Sequence, residues 1–413
     1  MRLGVLGAGQ FSRNFIPLWK AHPLITSVTV ADLIAERSTE FAATFEVGRA
    51  ADFDDLLDRV DAVAIFAQRH LHGPLVIKAL QAGKHVYSAV PVADSIAEIE
   101  EIVRLVAETR LIYMLGETAY YYPSALFCRA EFAKGTFGDF VYAEAQYYHD
   151  MNHGFYEAFQ HTGGERWREV AGTPPMHYPT HTVAPLVSTT GSYATQVACL
   201  GFEDRHPDGV FGRDRNHWGN PFSNETALFR MSNGGIARVN EFRRVGIKKP
   251  MTYLGLFLGT RASYEWAGTQ HVFATALDDG SMTGEDLSAW LNSTNLEAHR
   301  GDPDFFHNVV NGGYDSASMS PIMPAARLPR EFGPLPSNHR GVHKFLVDDF
   351  ARAVHTGKLP PNHVWAAARY NIPGLVAHQS AEQGGITLDI PDLGEPPADW
   401  ETLDLSPTIA DRR

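Results

Sequence analysis

A glycine-rich turn in the first dozen residues, alternating strand and helix patterns up to residue 115, and a change to period-two alternation after Tyr122 together predict the fold class. It is an α/β Rossmann domain followed by an α+β domain with an open, mainly antiparallel sheet. The domains are read as 1–122, then 123–385 with C-terminal helices packing back on it, then a tail over 386–413. A chain of 413 residues suits two domains better than one.

Met1 to Gly7 reads as a short buried strand that turns into a helix through Ala8-Gly9-Gln10-Phe11-Ser12. The spacing is G-x-G-x-x-S. Gly7 permits the tight turn, and Gly9 lets backbone amides, with Gln10 and Phe11 following, approach a pyrophosphate at the helix start. Ser12 is small enough for the helix to lie close to the sheet, although glycine or alanine is usual there. Val28 to Ala31 reads as the second strand and ends in Asp32. A carboxylate about 20 residues beyond such a loop binds the ribose 2′-hydroxyl and repels a 2′-phosphate, so NAD is favoured over NADP. Arg37, nearby, argues the other way.

The alternation continues through a strand at Asp61 to Phe66, a helix at Leu71 to Ala82, and a strand at Lys84 to Ser88. A helix at Ser95 to Thr109 and a strand at Leu111 to Leu115 complete it. Ligands bind beyond the carboxyl ends of such parallel strands. That rule selects Gln68 and His72, then Ala89, Val90 and Pro91, as further cofactor contacts, and Tyr121 as a substrate contact.

In the second domain Phe137 to His149, Asn224 to Arg244 around the turn Ser232 to Gly235, Met251 to Leu258 and Ala262 to Trp266 read as strands. Arg340 to His355 and Val364 to Ala381 read as helices, and Gly280 to Arg330 as long loops. Two segments concentrate His, Tyr and Asp: Tyr147-Tyr-His149-Asp150-Met-Asn-His153, and His177-Tyr178-Pro179-Thr-His181. Pro179 suits a first helical turn, so His177, Tyr178 and His181 are expected around a helix start, where a histidine tends to be held neutral as a base must be. The His177-x-x-x-His181 spacing also fits metal ligands, but no glutamate follows the first histidine, and no metal is expected. Each histidine taken singly also reads as an ordinary hydrogen-bonded one.

The formal charge of −13 leaves no basic excess for nucleic acid. Two isolated cysteines, Cys128 and Cys199, argue against a disulfide framework and fit a reducing compartment. No apolar run approaches the roughly 20 residues that span a bilayer. Because the chain opens on a strand, no signal peptide is expected, and a cytoplasmic location follows.

Together the Gly-rich start, Asp61-Ala-Val, Ala79-Leu-Gln-Ala-Gly-Lys-His-Val86 and Ala377-His-Gln-Ser-Ala381 resemble the glucose–fructose oxidoreductase, inositol dehydrogenase and rhizopine-catabolism (Gfo/Idh/MocA) family over nearly the whole chain. The resemblance implies a sugar-like substrate and a homodimer or homotetramer formed through the open sheet. Two departures matter. The family's dehydrogenases carry Glu-Lys-Pro where this chain has Ala89-Val90-Pro91, so their lysine is absent. They also carry Asp-x-x-x-His where this chain has His177 and His181.

Val-Pro in that triplet, Tyr178-Pro-Thr-His181 and Tyr148-His149-Asp150 look like the NAD-dependent α-N-acetylgalactosaminidases, with the sulfoquinovosidases as a second neighbour. That resemblance implies glycoside hydrolysis by transient oxidation at sugar carbon 3, elimination of the aglycone, water addition and re-reduction. It assigns His181 to the carbon 3 hydroxyl proton and Tyr178 to the base at carbon 2. His149, Asp150 and His177 become substrate ligands or orienting groups. The cations of Arg243-Arg244-Val-Gly-Ile-Lys248-Lys249 point to an anionic sugar such as a sulfoquinovoside, or equally to a solvated strand end. Arg166 and Trp167 are further substrate candidates, since tryptophan offers a flat face to sugars. The alternatives are an NAD-dependent sugar or polyol dehydrogenase that releases NADH, and a non-catalytic NAD- or sugar-sensing protein.

Overall fold

Buried apolar runs build the first sheet. Leu3 to Leu6 of β1 (Arg2–Leu6) and all four residues of β4 (Ala62–Ile65) are buried, as central parallel strands covered on both faces must be. With β2 (Ser27–Ala31), β3 (Gly48–Arg49), β5 (His85–Ser88) and β6 (Tyr113–Leu115) they form a six-stranded parallel sheet. Its order is β3-β2-β1-β4-β5-β6, so the winding direction switches between β1 and β4. In such sheets the switch point is where ligands bind. The connections are α1 (Gln10–Arg13), α2 (Ile16–Ala21), α3 (Ala35–Phe45), α4 (Phe53–Arg59), α5 (His72–Gln81) and α6 (Ile96–Thr109). The Asp52 and Ser95 side chains cap α4 and α6 by accepting the Asp55 and Glu98 amides.

The computed structural model describes residues 1–246, 255–311, 318–336 and 339–412. The chain forms two compact units that exchange segments. The first contains Met1–Thr118, Pro324–Ala368 and Leu393–Pro407, and the second contains Ala119–Met323, Arg369–Asp392 and the residues from Thr408. The helix Val342–Thr356, read from sequence as part of 123–385, therefore belongs to the first unit. Its buried face explains why: His343 stacks on Phe15 at 4.2 Å, and Phe350 meets Trp19 and Tyr87 edge-on. Part of the expected tail also folds onto this unit, where Thr402 bridges to Leu359 and Trp400 packs against Trp365.

The second unit holds a nine-stranded sheet of β7 (Phe140–Tyr148), β8 (Ala194–Glu203), β9 (Phe222–Met231), β10 (Ile236–Phe242), β11 (Leu256–Gly259), β12 (Ala262–Ala267), β13 (Gln270–Ala276), β14 (Met282–Asp286) and β15 (Leu388–Asp389). The order is β14-β13-β12-β11-β7-β10-β9-β8-β15. Among the described residues only the β7–β10 pair is parallel, so the sheet is mixed and mostly antiparallel, as the alternation predicts. The β9–β10 hairpin turns at Ser232 to Gly235, with Gly234 at φ +92°. Of the strand expected from Met251, residues 251–254 lie outside the described residues. One face carries α7 (Pro123–Ala133) and a helix over Thr180–Thr190, while Val141, Leu200, Phe202, Leu228 and Ile236 of β7 to β10 are exposed.

The segment expected as loops over Gly280 to Arg330 is a correction. It contains β14 and the short helices Ser288–Leu291, Thr294–Ala298 and Phe305–Asn311. Every β14 residue is exposed, so no apolar alternation marks it in the sequence. Cys128 and Cys199 are buried free thiols. No described helix is long and apolar enough to cross a membrane.

Candidate functional site

The candidate nucleotide site, in the first unit, grows from the β1–α1 turn. Gly7 has φ +104°, and a Cβ there would lie 2.7 Å from the Phe66 carbonyl oxygen, so only glycine fits. Around Gly9 the situation is reversed, since nothing described lies within 4 Å of where its Cβ would point. That bare, open backbone is the space a pyrophosphate needs. Asp32 ends β2 with its carboxylate fixed: Oδ2 accepts the Ala8 amide at 2.7 Å and Oδ1 the Ile34 amide at 2.8 Å. Ser12 is buried and donates to the Gly9 carbonyl at 2.9 Å, which holds the turn in shape. Gln10 and Phe11 are exposed beside it, and Gln68 is half-buried beyond β4. These residues fit an NAD pyrophosphate and ribose.

Beyond β5, Ala89, Val90 and Pro91 are buried and supply no amine. His72 is buried too, with Nδ1 2.8 Å from the Pro91 carbonyl and Nε2 3.0 Å from the Ala67 carbonyl. Burial lowers its pKa below the usual histidine value. The ring is thus committed to joining the loops after β4 and β5, a structural task for a residue expected on the cofactor.

A separate polar cluster lies in the second unit, where the end of β7 meets α10, the helix Thr180–Thr190 numbered after α8 (Tyr156–Gly163) and α9 (Trp167–Ala171). Tyr147 and His149 share one face of the strand end, two residues apart. The Tyr147 hydroxyl and His149 Nδ1 are 2.6 Å apart, and His149 Nε2 is 2.9 Å from the His153 carbonyl oxygen. The Tyr147 ring lies 5.0 Å from that of His181 and 6.1 Å from that of Tyr178, and Tyr178 and His181 are 5.1 Å apart. His177 lies edge-on to His378 at 5.1 Å. Tyr121 is buried against Tyr120. Asp150, expected on the substrate, instead fixes the backbone: it accepts the Asn152 and Val245 amides and the Asn152 side-chain amide.

The two arginines that suggest an anionic sugar are both engaged by groups of the chain itself. Arg243 is buried, donates to Glu241 at 3.0 Å, and places its guanidinium 5.1 Å from the Tyr147 ring centroid. Arg244 is held by Asp208, with Tyr156 and Asp204 beside it. Burial disfavours the Asp208 charge, but hydrogen bonds from Tyr156 and Arg244 outweigh it and lower the pKa below the usual carboxylate value. Lys248 and Lys249 lie outside the described residues. Arg166 is an exposed partner of Glu169, and Trp167 is buried beneath the Arg168 guanidinium and edge-on to Tyr156. Its face is not open for stacking.

Sequence reasoning missed the polar floor of this cluster. Glu225 and Glu241 are directly opposed across β9 and β10, and both are completely buried. Glu225 accepts the Met176 amide through one oxygen and lies 2.8 Å from His378 Nδ1 through the other, so it anchors the turn carrying His177 and Tyr178. Glu241 Oε1 lies 2.8 Å from the Thr182 hydroxyl, and burial pushes its pKa up to about 8 against the pull of Arg243. The available signal was positional: both glutamates occupy inward positions in otherwise apolar alternating strands. Among the described residues no group of three or more His, Cys, Asp or Glu could hold a metal ion.

Residues 1–117 match the sequence model of the Gfo/Idh/MocA family, described as "Oxidoreductase family, NAD-binding Rossmann fold". The first domain is a Gfo/Idh/MocA domain. Its cofactor is NAD, in line with the open Gly9 turn and the anchored Asp32. Over nearly its whole length the chain is 22% identical to a "Glycosyl hydrolase family 109 protein" of Saccharopolyspora erythraea, covering 97% of this chain and 84% of that one. It is 24% identical to a protein of the same name from Streptomyces coelicolor, over 95% and 83%. Among solved structures, levoglucosan dehydrogenase in complex with NADH and levoglucosan superposes with a TM-score of 0.69 at 17% identity, covering 95% of this chain and 99% of the other. The myo-inositol 2-dehydrogenase of Lactobacillus plantarum does so with 0.64 at 16%, over 95% and 99%. At such identities these structures establish the fold alone.

Proposed function

We propose that this protein is an NAD-dependent glycoside hydrolase that works by transient oxidation of its sugar. The observation that carries the reading is the cluster of Tyr147, Tyr178 and His181 in a chain whose β5 end offers Ala89, Val90 and Pro91 and no lysine. When bound, NAD takes hydride from carbon 3 of the sugar and returns it at the end. The chain handles the protons. His181 receives the carbon 3 hydroxyl proton, and a tyrosine of the cluster removes the carbon 2 hydrogen that the ketone has acidified. Elimination of the aglycone from carbon 1, addition of water and reduction give net hydrolysis without the carboxylate pair of ordinary glycosidases.

Relatives named glycosyl hydrolase family 109 proteins, aligned over 95% and 97% of the chain, support the reading. Because Arg244 already pairs with Asp208 and Arg243 is buried against Glu241, we take an uncharged sugar in preference to a sulfoquinovoside. A second copy of the chain is the proposed occupant of the exposed sheet face.

The test follows nitrophenol and NADH absorbance together while purified protein and NAD are incubated with nitrophenyl glycosides, a sulfoquinovoside among them. NAD-requiring nitrophenol release without accumulating NADH is expected. NADH building up with a free sugar and no aglycone release would make the protein a plain dehydrogenase. Absence of all turnover would favour a sensing role.

A further inference from the structure

The helix Val342–Thr356 of the first unit begins without a cap. Its N-cap position is Gly341 at φ +89°, which has no side chain to accept the first amides, and no acidic residue stands in the first turn. The amides of a first turn have no acceptor within their own helix, and a helix start favours negative charge beside it. Gly341, Val342 and His343 are buried, so these amides are not simply left to bulk water. The next residue is a lysine. Lys344 is only 8% exposed and has no hydrogen-bond or ion-pair partner among the described residues. Asp348, one turn further on, is already taken by Arg327, His22 and Arg352. Burial lowers the Lys344 pKa below the usual lysine value, and no neighbouring anion opposes that shift. Buried cations are ordinarily paired. A helical side chain leans towards the N-terminus of its helix, which aims the Lys344 ammonium back at the uncapped start. Its stem is covered, but the ammonium is not fully enclosed, unlike the two nitrogens of His343.

This helix start adjoins the Gly-rich turn, within the same compact unit. The Phe11 ring, two residues past Gly9, is met edge-on by His339 at 5.8 Å and by His343 at 5.5 Å, and His343 stacks on Phe15 at 4.2 Å. The turn itself supplies backbone and open space but no cation: none occurs from Gly7 to Ser12, and Arg13 is paired with Glu40. Asp32 adds a carboxylate beside it. A diphosphate placed there brings further negative charge, and the chain must meet it from another segment. We infer that the start of the helix Val342–Thr356 holds the diphosphate of NAD together with the Gly9 turn, with Lys344 as its cation. Lys344 binds and moves no proton, so its role differs from that of the family's lysine that this chain lacks at Val90. The inference does not depend on the redox-hydrolase reading, since a dehydrogenase or a sensor would hold NAD in the same way.

The experiment measures binding to the full-length protein by calorimetry, with NAD, inorganic pyrophosphate and adenosine as three probes. Lys344→Met keeps the apolar stem and removes the charge. It is expected to weaken NAD and pyrophosphate by roughly 10–100-fold, the span of a lost charge-assisted hydrogen bond, and to leave adenosine within about twofold. Lys344→Arg is expected to recover most of the NAD affinity. Without added NAD, Lys344→Met should melt no lower than the wild type, because it removes a buried ammonium that has no partner. The rise in melting temperature on adding NAD should shrink in the same variant. A purely structural role would instead lower the NAD-free melting temperature and weaken all three probes together, and that pattern overturns the inference. So does a Lys344→Met protein that binds NAD within about twofold of the wild type, even where it loses pyrophosphate, since the anion held there would not be the cofactor. The wild type alone decides the matter if the variant folds poorly. Amine acylation mapped by mass spectrometry should label Lys344, and saturating NAD should abolish that label; labelling that NAD leaves unchanged overturns the inference.

Discussion

Thr182 has one hydroxyl hydrogen and two oxygen neighbours, the Pro179 carbonyl at 2.7 Å and Glu241 Oε1 at 2.8 Å. The carbonyl can only accept, so both contacts are hydrogen bonds only if Glu241 donates and is a neutral acid. Burial and the opposing Glu225 push the same way, and Arg243 does not reverse them. In the unfolded chain this group ionises near 4.5, and in the folded one near 8. Its contribution is therefore whole below pH 4.5 and is lost as pH rises towards 8, on the order of a few kcal/mol. Glu241→Gln should remove that slope, so urea midpoints of variant and wild type at pH 5 and pH 8 should differ more at pH 8, in the variant's favour. An equal difference at both values would mean that Glu241 is charged. His72 and His343 act oppositely, because burial lowers both below 6.5 and stability is lost as pH falls beneath that value. Of the three groups Glu241, His72 and His343, the sequence reading singled out only His72, and gave it a cofactor role. A buried glutamate inside a strand looks like any polar residue until its cross-strand partner is known, and that partner is set by register, not by neighbours in the chain.

The elements legible from the sequence are those whose signals are local. The Gly7 turn, the Asp32 strand end and the Ser232 to Gly235 hairpin each announce themselves within a dozen residues. The parallel pairing of β7 with β10 joins strands about a hundred residues apart and has no local mark. β14 lacks even an apolar face. The glycine turn makes its own prediction, because its two glycines serve different needs. Gly7→Ala must place a methyl group against the Phe66 carbonyl in a backbone conformation that side chains rarely adopt, and should cost about 2 kcal/mol or more. Gly9→Ala meets no protein atom, so its melting temperature should match the wild type while NAD binding weakens by about tenfold or more. Calorimetry of NAD binding beside thermal melts checks both. Unchanged NAD affinity in Gly9→Ala would place the pyrophosphate elsewhere.

At the scale of the molecule, the outer face of β7 to β10 carries exposed Leu200, Phe202, Leu228 and Ile236 around the cross-strand pair of Arg238 and Glu144. Apolar side chains ringing one opposite-charge pair can face a two-fold copy of themselves, each arginine meeting the other copy's glutamate. Leu228→Glu should convert the assembly to monomer in light scattering, and a monomeric wild type would dismiss the interface. The exchange of segments by the two units was hidden from sequence reading, since the match of Val342–Thr356 to Phe15, Trp19 and Tyr87 is a meeting of distant residues. That exchange also imposes a timetable on synthesis. Residues 1–118 leave the ribosome early, yet their unit needs 324–368 and 393–407. At about 5–20 residues per second, the nascent nucleotide domain waits roughly 15–60 s with Phe15 and Trp19 uncovered. During that interval its safety depends on chaperones or on slow collapse, and residues 324–368 and 393–407 decide when the unit first reaches its finished fold.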